Sequence, residues 1–138
     1  MNSIRNHFFY LVSAIASFYI VSLANSTIVD SYLVTNLITI VIALLAINVQ
    51  TIAVMTVKLR EISNGFSFQA TIKEIKVSIY EQCFLVGSSL VINGAFNMGT
   101  FNHKNLIIGI SSFYVLYASL HIFIDTVDGL IIALFPDQ

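Results

Sequence analysis

The residues best suited to proton chemistry lie near the C-terminal end of the chain, where tyrosine, histidine and aspartate recur at helical spacing. His121 and Asp125 are four residues apart, and residues with that spacing are neighbours on a helix surface. A nearby carboxylate favours the protonated imidazole, so the pair could titrate near neutral pH or attract cations. The sequence therefore predicts a titratable face formed by Tyr117, His121, Asp125 and Asp128. The simpler interpretation is that the aspartates mark the end of a membrane span, where charged residues are ordinary.

Other catalytic chemistry finds no support in the residue pattern. The three histidines are scattered, and there is no serine-histidine-acid set, glycine-rich phosphate loop or cofactor motif. His7 is expected to be solvated or to face lipid headgroups. Cys83 is a lone cysteine, whereas a disulfide or a zinc site would need more. With six basic and seven acidic residues, nothing indicates a nucleic-acid partner. We expect no enzyme, no metal and no cofactor.

A second polar group consists of amide and hydroxyl side chains inside apolar segments. In the second segment, Asn36, Thr39 and Gln50 alternate with alanines in steps of three and four, which places them along one seam, and Asn48 lies on the opposite face. The favoured interpretation is a helix–helix interface, and the alternative is a water-filled lining. Two polar faces on one helix indicate two sets of neighbours, hence self-association. The candidate pore or polar-seam residues are Asn36, Thr39, Asn48, Gln50, Ser89, Asn93 and Asn97.

The composition places these residues in a bilayer. Charged residues make up 9% of the 138-residue chain and hydrophobic residues 57%, whereas soluble domains carry about 25% charged residues. A helix crosses the hydrocarbon with about 20 residues, and four apolar segments approach that length, at about 8–24, 32–57, 82–101 and 106–124. The sequence predicts an all-α integral membrane protein in which residues 1–138 form a single four-helix transmembrane domain.

The basic residues predict how the four spans are oriented. Arg5 precedes the first span, and Lys58, Arg60, Lys73 and Lys76 fall between the second and third. Cytoplasmic loops retain Lys and Arg, so both termini should lie in the cytoplasm, with the chain in the inner cell membrane. An alternative for the first span is a signal peptide, since Arg5, an apolar run and a small-residue triplet ending at Ala24 resemble one.

The long connection at about 58–81 does not have the composition of a loop. Its apolar residues recur at helical spacing, which predicts that spans two and three continue as a cytoplasmic helical hairpin. An amphipathic stripe outside the bilayer must bury itself against the facing helix, the headgroups or a protein. The candidate partner-docking residues are therefore Phe68, Ile72, Ile75 and Ile79, and the candidate partner is a soluble cytoplasmic sensor.

Three functions from different classes fit this pattern. The first is a small oligomeric pore or membrane-permeabilising effector, gated by a cytoplasmic partner. The second is a non-conducting interaction subunit that docks a soluble protein through its hairpin. The third is a small secondary transporter, because size and span number are similar to the small multidrug-resistance family. That family carries a glutamate in the middle of its first span, where this chain has residues Ser13 to Ser17 and no carboxylate.

The layout also resembles the RexB-type membrane proteins of phage exclusion systems. The resemblance rests on four spans in a chain of this length, on the basic stretch Lys58-Leu59-Arg60-Glu61-Ile62 after span two, and on His121 followed by an apolar run. It implies an ion channel that depolarises the cell when a soluble partner detects infection. No functional residue is implied by it, and it strengthens the pore hypothesis.

Overall fold

A computed structural model describes residues 3–24, 32–62, 69–98 and 104–134, and each stretch holds one long helix. The helices are α1 (Ser3–Leu23), α2 (Val34–Ile62), α3 (Gln69–Met98) and α4 (Lys104–Leu134). Each contains a segment long and apolar enough to cross a membrane, at Arg5–Leu23, Val34–Lys58, Ile75–Ala95 and Leu106–Ile132. The predicted all-helical class with four potential spans is confirmed for the part of the chain that the structure describes.

The four helices are long because none of them contains proline. The only proline of the chain is Pro136, beyond the last helix, and proline is the residue that breaks helices most strongly. Because α2 continues to Ile62 and α3 begins at Gln69, much of the connection at 58–81 is helical. The apolar segment of α3 starts at Ile75, so Ile75 and Ile79 belong to a potential span as well as to the predicted hairpin.

Helices that follow one another in the chain run in opposite directions. Val34 and Ile108 share one buried cluster, and a Cβ added to Gly129 would lie 3.4 Å from Cε of Met55. The starts and the ends of α2 and α4 therefore lie side by side, so these two helices are parallel. On α3, Nδ2 of Asn93 donates to the carbonyl oxygen of Val34 at 3.3 Å, which brings the end of α3 to the start of α2.

The last helix lies at the centre of the bundle. α4 packs against α1, α2 and α3, and α2 and α3 also pack against each other, whereas α1 packs chiefly on α4. The main core cluster consists of Tyr10, Leu33, Leu37, Val41, Leu85, Val115 and Ala118. Apolar side chains also cover the outside, with Phe8, Val91 and Ile132 among the most exposed. Such a surface suits a hydrocarbon solvent.

Small hydroxyl residues form one buried face of α4. Ser112, Ser119 and Thr126 are buried, and each hydroxyl donates to the carbonyl oxygen four residues earlier, at 2.7 to 2.8 Å. Their polar atoms are thus satisfied within α4 itself. Their seven-residue spacing places them along one side of the helix, where small side chains let a neighbouring helix approach closely, as helices do in lipid.

Candidate functional site: a polar interface between α1 and α4

The predicted titratable face lies on α4, and its central pair is in contact. Nε2 of His121 lies 3.3 Å from Oδ2 of Asp125, and their side chains are 35% and 65% exposed. Tyr117 is half-buried against α1, whereas Asp128 is exposed. The structure therefore brings Tyr117, His121 and Asp125 together with α1 on one side and open space on the other, and it places Asp128 at the surface.

Three side-chain hydrogen bonds connect this face to α1. Nδ2 of Asn6 lies 3.1 Å from Nε2 of His121. Nδ1 of His7 lies 2.8 Å from the hydroxyl of Tyr114. Nearer the C-terminal end of α1, the Ser17 and Tyr117 hydroxyls are 2.7 Å apart. Since α1 and α4 are distant in sequence, these bonds fix which face of α1 meets α4.

Nε2 of His121 lies near two hydrogen-bond partners, a donor on Asn6 and an acceptor on Asp125. When Nε2 has no proton, the Asn6 amide donates to it. When Nε2 carries a proton, it donates to the Asp125 carboxylate instead. The geometry thus links the proton on Nε2 to the choice between a partner on α1 and a partner on α4.

Aromatic rings surround this hydrogen-bonded group. Tyr10 is buried, and its ring centroid lies 5.3 Å from that of His121, 6.2 Å from that of Tyr114 and 5.8 Å from that of His7. His7 and Tyr114 are stacked, with centroids 6.4 Å apart. Offset and edge-to-face ring pairs of this kind add packing energy beyond area burial. The Tyr10 and Tyr114 rings thus hold the His7 and His121 imidazoles at one end of the bundle.

An open groove runs beside the site between α1 and α4. It encloses about 640 Å³, and its lining includes Arg5, Asn6 and Ser13 from α1 and Tyr117 and His121 from α4. With Tyr10 also in the lining, a guanidinium, an amide, three hydroxyl-bearing side chains and an imidazole line one space whose remaining walls are apolar. This arrangement can exchange protons with solvent at the end of the bundle that carries Arg5.

The seam predicted on α2 faces away from the other helices. Thr39 and Gln50 are exposed, as are Ala43, Ala46 and Ala53 between and beyond them. Asn36, which is half-buried, donates from Nδ2 to the carbonyl oxygen of Tyr32 in the same stretch of chain. Within the described part of the chain, α2 buries the opposite face, which carries Leu37, Val41 and Asn48. The helix–helix interface at the seam therefore stays a prediction, and its partner would be a second copy of the chain.

The other predicted amide and hydroxyl residues have different surroundings. Asn48 is fully buried and forms no hydrogen bond to a described residue. Ser89 is buried and donates to the carbonyl oxygen of Val86 at 2.7 Å. Asn93 is half-buried and reaches α2 through the Val34 carbonyl. The side chain of Asn97 lies outside the described part of the structure. These residues are therefore separate helix contacts and do not form one lining.

The predicted docking residues lie partly outside the described part. This applies to Phe68 and to the side chain of Ile72. Ile75 and Ile79 are half-buried, and Ile75 lines a groove that residues from α2, α3 and α4 enclose. At this position the apolar stripe therefore faces, at least in part, into the bundle.

Sequence reasoning missed the contribution of α1 to the site. Asn6, His7 and Ser17 are all partners of α4 side chains, and none was a candidate. Their spacing carries a weak signal, because Asn6, Ser13 and Ser17 fall on one side of an otherwise apolar helix. Gln82 was also missed, although it is 2% exposed on α3. Gln82 follows the charged residue Glu81, so the sequence alone predicts a position at the edge of the membrane.

No group of three His, Cys, Asp or Glu side chains that could hold a metal ion occurs among the described residues. Comparison of the chain with models of protein families, with curated proteins and with solved structures gives no match. The functional argument therefore rests on the chain's own residues.

Proposed function

We propose that this chain is a small pore-forming membrane protein whose copies associate through the outward seam of α2. The seam consists of Thr39, Ala43, Ala46, Gln50 and Ala53, and every one of these residues is exposed. This single observation carries the proposal, because the seam lies within the most hydropathic of the four potential spans.

The position of Gln50 makes lipid a poor neighbour. The apolar segment Val34–Lys58 is centred near Ala46, so Gln50 stands about 6 Å from the middle of the span along the helix axis. Hydrocarbon offers no partner to a carboxamide, and an unsatisfied polar group there costs several kcal/mol. A second copy of the chain, or water in a lumen between copies, provides the missing hydrogen bonds.

The alanines of the seam favour close contact between copies. Ala43, Ala46 and Ala53 present almost no side-chain bulk, which permits backbones to approach as they do in other small-residue interfaces in lipid. A ring of such helices places amides and hydroxyls around its axis and no charge. The resulting pore would be weakly selective. In contrast, ion-coupled carriers generally bury a charged group in the membrane.

The end of the bundle that carries the basic residues supports the expected orientation. Arg5 lines the groove beside His121, and Lys73 lines the groove that contains Asp125. Residues from α1 and α3 thus place positive charge at one end, as cytoplasmic faces do. We infer an inner-membrane protein with both termini in the cytoplasm. A soluble sensor that opens the pore remains part of the proposal, on the strength of the RexB-type layout.

The experiment is ion flux through liposomes that contain the purified protein. A potassium gradient and a potential-sensitive dye report whether the vesicles leak. The wild-type protein should dissipate the potential, and leakage should rise more steeply than the protein-to-lipid ratio because several copies form each pore. Gln50→Leu should reduce the leak by removing the polar lining. Vesicles that stay tight at high load of inserted protein would overturn the proposal.

A further inference from the structure

Two buried carboxamides stand out in the interior of the bundle. Asn48 on α2 is 0% exposed and Gln82 on α3 is 2% exposed. Within the described residues, neither the oxygen nor the nitrogen of either side chain has a hydrogen-bond partner. A buried polar group without a hydrogen bond destabilises the protein by the full free-energy cost of its removal from water. A ligand that both donates and accepts hydrogen bonds would remove this cost for all four atoms.

Asn48 and Gln82 lie at nearly the same height along the axis of the bundle. The Asn93–Val34 hydrogen bond aligns the end of α3 with the start of α2. Along these antiparallel helices, Asn48 follows Val34 by fourteen residues and Gln82 precedes Asn93 by eleven, so the two levels differ by about 4.5 Å. Side chains tilt toward the N-terminus of their own helix. In antiparallel neighbours this tilt brings Asn48 and Gln82 toward each other.

A groove leads toward this level from the charged end. It encloses about 590 Å³ between α2, α3 and α4, and its lining includes Ile52, Ser78, Glu81, Ile122 and Asp125. Ile52 is one helical turn from Asn48, and Ser78 is one turn from Gln82. Because α2 and α4 run in parallel, Ile122 lies level with Asn48. The lining of the groove therefore comes within one helical turn of each carboxamide, although neither carboxamide lines it.

We propose that Asn48 and Gln82 form an internal water-binding site that is filled from this groove. Each carboxamide offers an oxygen acceptor and a nitrogen donor, and a water molecule can satisfy both kinds at once. A cation would satisfy only the oxygens. The two carboxamides do not bond directly to each other, since none of the four atoms has a partner among the described residues. Buried waters typically make about three such bonds to protein groups.

The site is independent of the proposed pore. It belongs to the interior of one chain, on the face of α2 opposite the seam, and would exist in a monomer. Its consequence is that water penetrates the three-helix core from the end that carries Lys73, Glu81 and Asp125, close to the middle of the potential spans.

Water contact with Gln82 can be measured in the wild-type protein. The protein is labelled with ¹⁵N in glutamine side chains and reconstituted in nanodiscs of deuterated lipid, and magnetisation transfer from water to each side-chain amide is recorded by NMR. The Gln82 signal is assigned by its loss in Gln82→Met. We expect transfer from water to the Gln82 amide. Absence of transfer would overturn the proposal, whether or not Asn48 contacts the amide directly.

A variant tests whether the water is shared. Asn48→Leu should weaken the transfer to Gln82 severalfold, because the water loses one of its two protein ligands. The control is Val49→Leu, at the next position on α2, whose side chain is exposed on the outside and which should leave the signal unchanged. An undiminished signal in folded Asn48→Leu would contradict a common site.

Solvent access provides a second readout. In a Cys83→Ser background, Asn48→Cys and Gln82→Cys should react with a small cationic methanethiosulfonate at least about tenfold faster than Leu37→Cys, because the reagent attacks the thiolate, which forms in water. Leu37 is equally buried on α2 but lies away from the groove. Equal, slow reaction at all three positions would contradict water entry through the groove.

Discussion

At the scale of single residues, hydrogen bonds from hydroxyl, amide and imidazole groups determine which face of α1 packs against α4. The Ser17–Tyr117 bond at 2.7 Å occurs well inside the potential spans, where hydrocarbon offers neither hydroxyl an alternative partner. The bond should therefore contribute more than packing alone, although measured polar contacts between membrane helices average only about 0.6 kcal/mol. Asn6 and His7 add bonds near the charged end of α4.

The Ser17–Tyr117 contact can be measured by a double-mutant cycle. Tyr117→Phe and Ser17→Ala should each lower the free energy of unfolding in mixed micelles, and the coupling between them should be about 0.5 to 1.5 kcal/mol. Tyr19→Phe is the matched control, since Tyr19 is 55% exposed on α1. A coupling energy of zero would show that the two hydroxyls act separately.

His121 should influence ion leakage through the contact between α1 and α4. Its Nε2 lies within hydrogen-bond distance of Asn6 on α1 and close to Asp125 on α4, so loss of the imidazole or of the carboxylate alters how the two helices are connected. His121→Ala and Asp125→Asn should therefore both change the rate of ion leakage from liposomes.

The control for these two variants is Asp128→Asn. Asp128 is also an exposed carboxylate on α4, one turn further along the helix, so the variant removes charge without touching the His121–Asp125 pair. Its leakage rate should match that of the wild-type protein. If the leakage rates of all three variants and the wild-type protein coincide, His121 and Asp125 are ordinary residues at a span end.

At the scale of elements, α2 has two faces with different tasks. One face carries Leu37, Val41, Asn48 and Ile52 into the core, and the other presents the seam to the surroundings. The helical period assigns residues to these faces correctly, but both faces contain polar residues among apolar ones. Only contact with α3 and α4 shows that the face of Asn48 is internal.

Self-association through the seam predicts a specific effect of bulk. Ala46→Phe should shift the protein toward smaller species, because the large ring keeps neighbouring α2 helices apart. The measurement is the mass distribution in detergent by light scattering or native mass spectrometry. Ile47→Phe is the control, since Ile47 is 47% exposed but lies beside the seam. Equal distributions for wild type and both variants would exclude the seam as the contact.

At the scale of the whole molecule, α4 is the central helix against which the other described helices pack. It is the one helix that packs on each of the other described helices, and its buried residues include Ser112, Val115, Ala118 and Ser119. α1 depends on α4 for its place, whereas α2 and α3 also support each other. Packing defects in α4 should therefore weaken the whole structure.

Identical substitutions on two helices test this role. Val115→Ala removes two methyl groups from a residue that is 3% exposed, and Val91→Ala removes them from one that is 72% exposed on α3. Val115→Ala should lower the free energy of unfolding by about 1 kcal/mol, because a cavity remains in the core, and Val91→Ala should have almost no effect. Equal losses would contradict a central α4.

Much of the fold could be predicted from local composition. Long apolar stretches without proline predict four helices, and the steps of three and four residues predict which side chains share a face. The Tyr117–His121–Asp125 set was found in this way, as was the separation of Asn48 from the seam. Asn6 and Ser17 were missed because three polar residues, Asn6, Ser13 and Ser17, along one side of a span give only a weak periodic signal.

The sequence by itself determined the solvent and the elements: with few charges and long apolar runs, the chain forms helices suited to hydrocarbon. The tertiary structure alone decided which faces meet. Apolar faces in lipid are nearly equivalent, so the choice falls to close packing and to a few hydrogen bonds between distant segments. These place α1 on the His121 face of α4, turn the α2 seam outward and enclose Asn48 with Gln82.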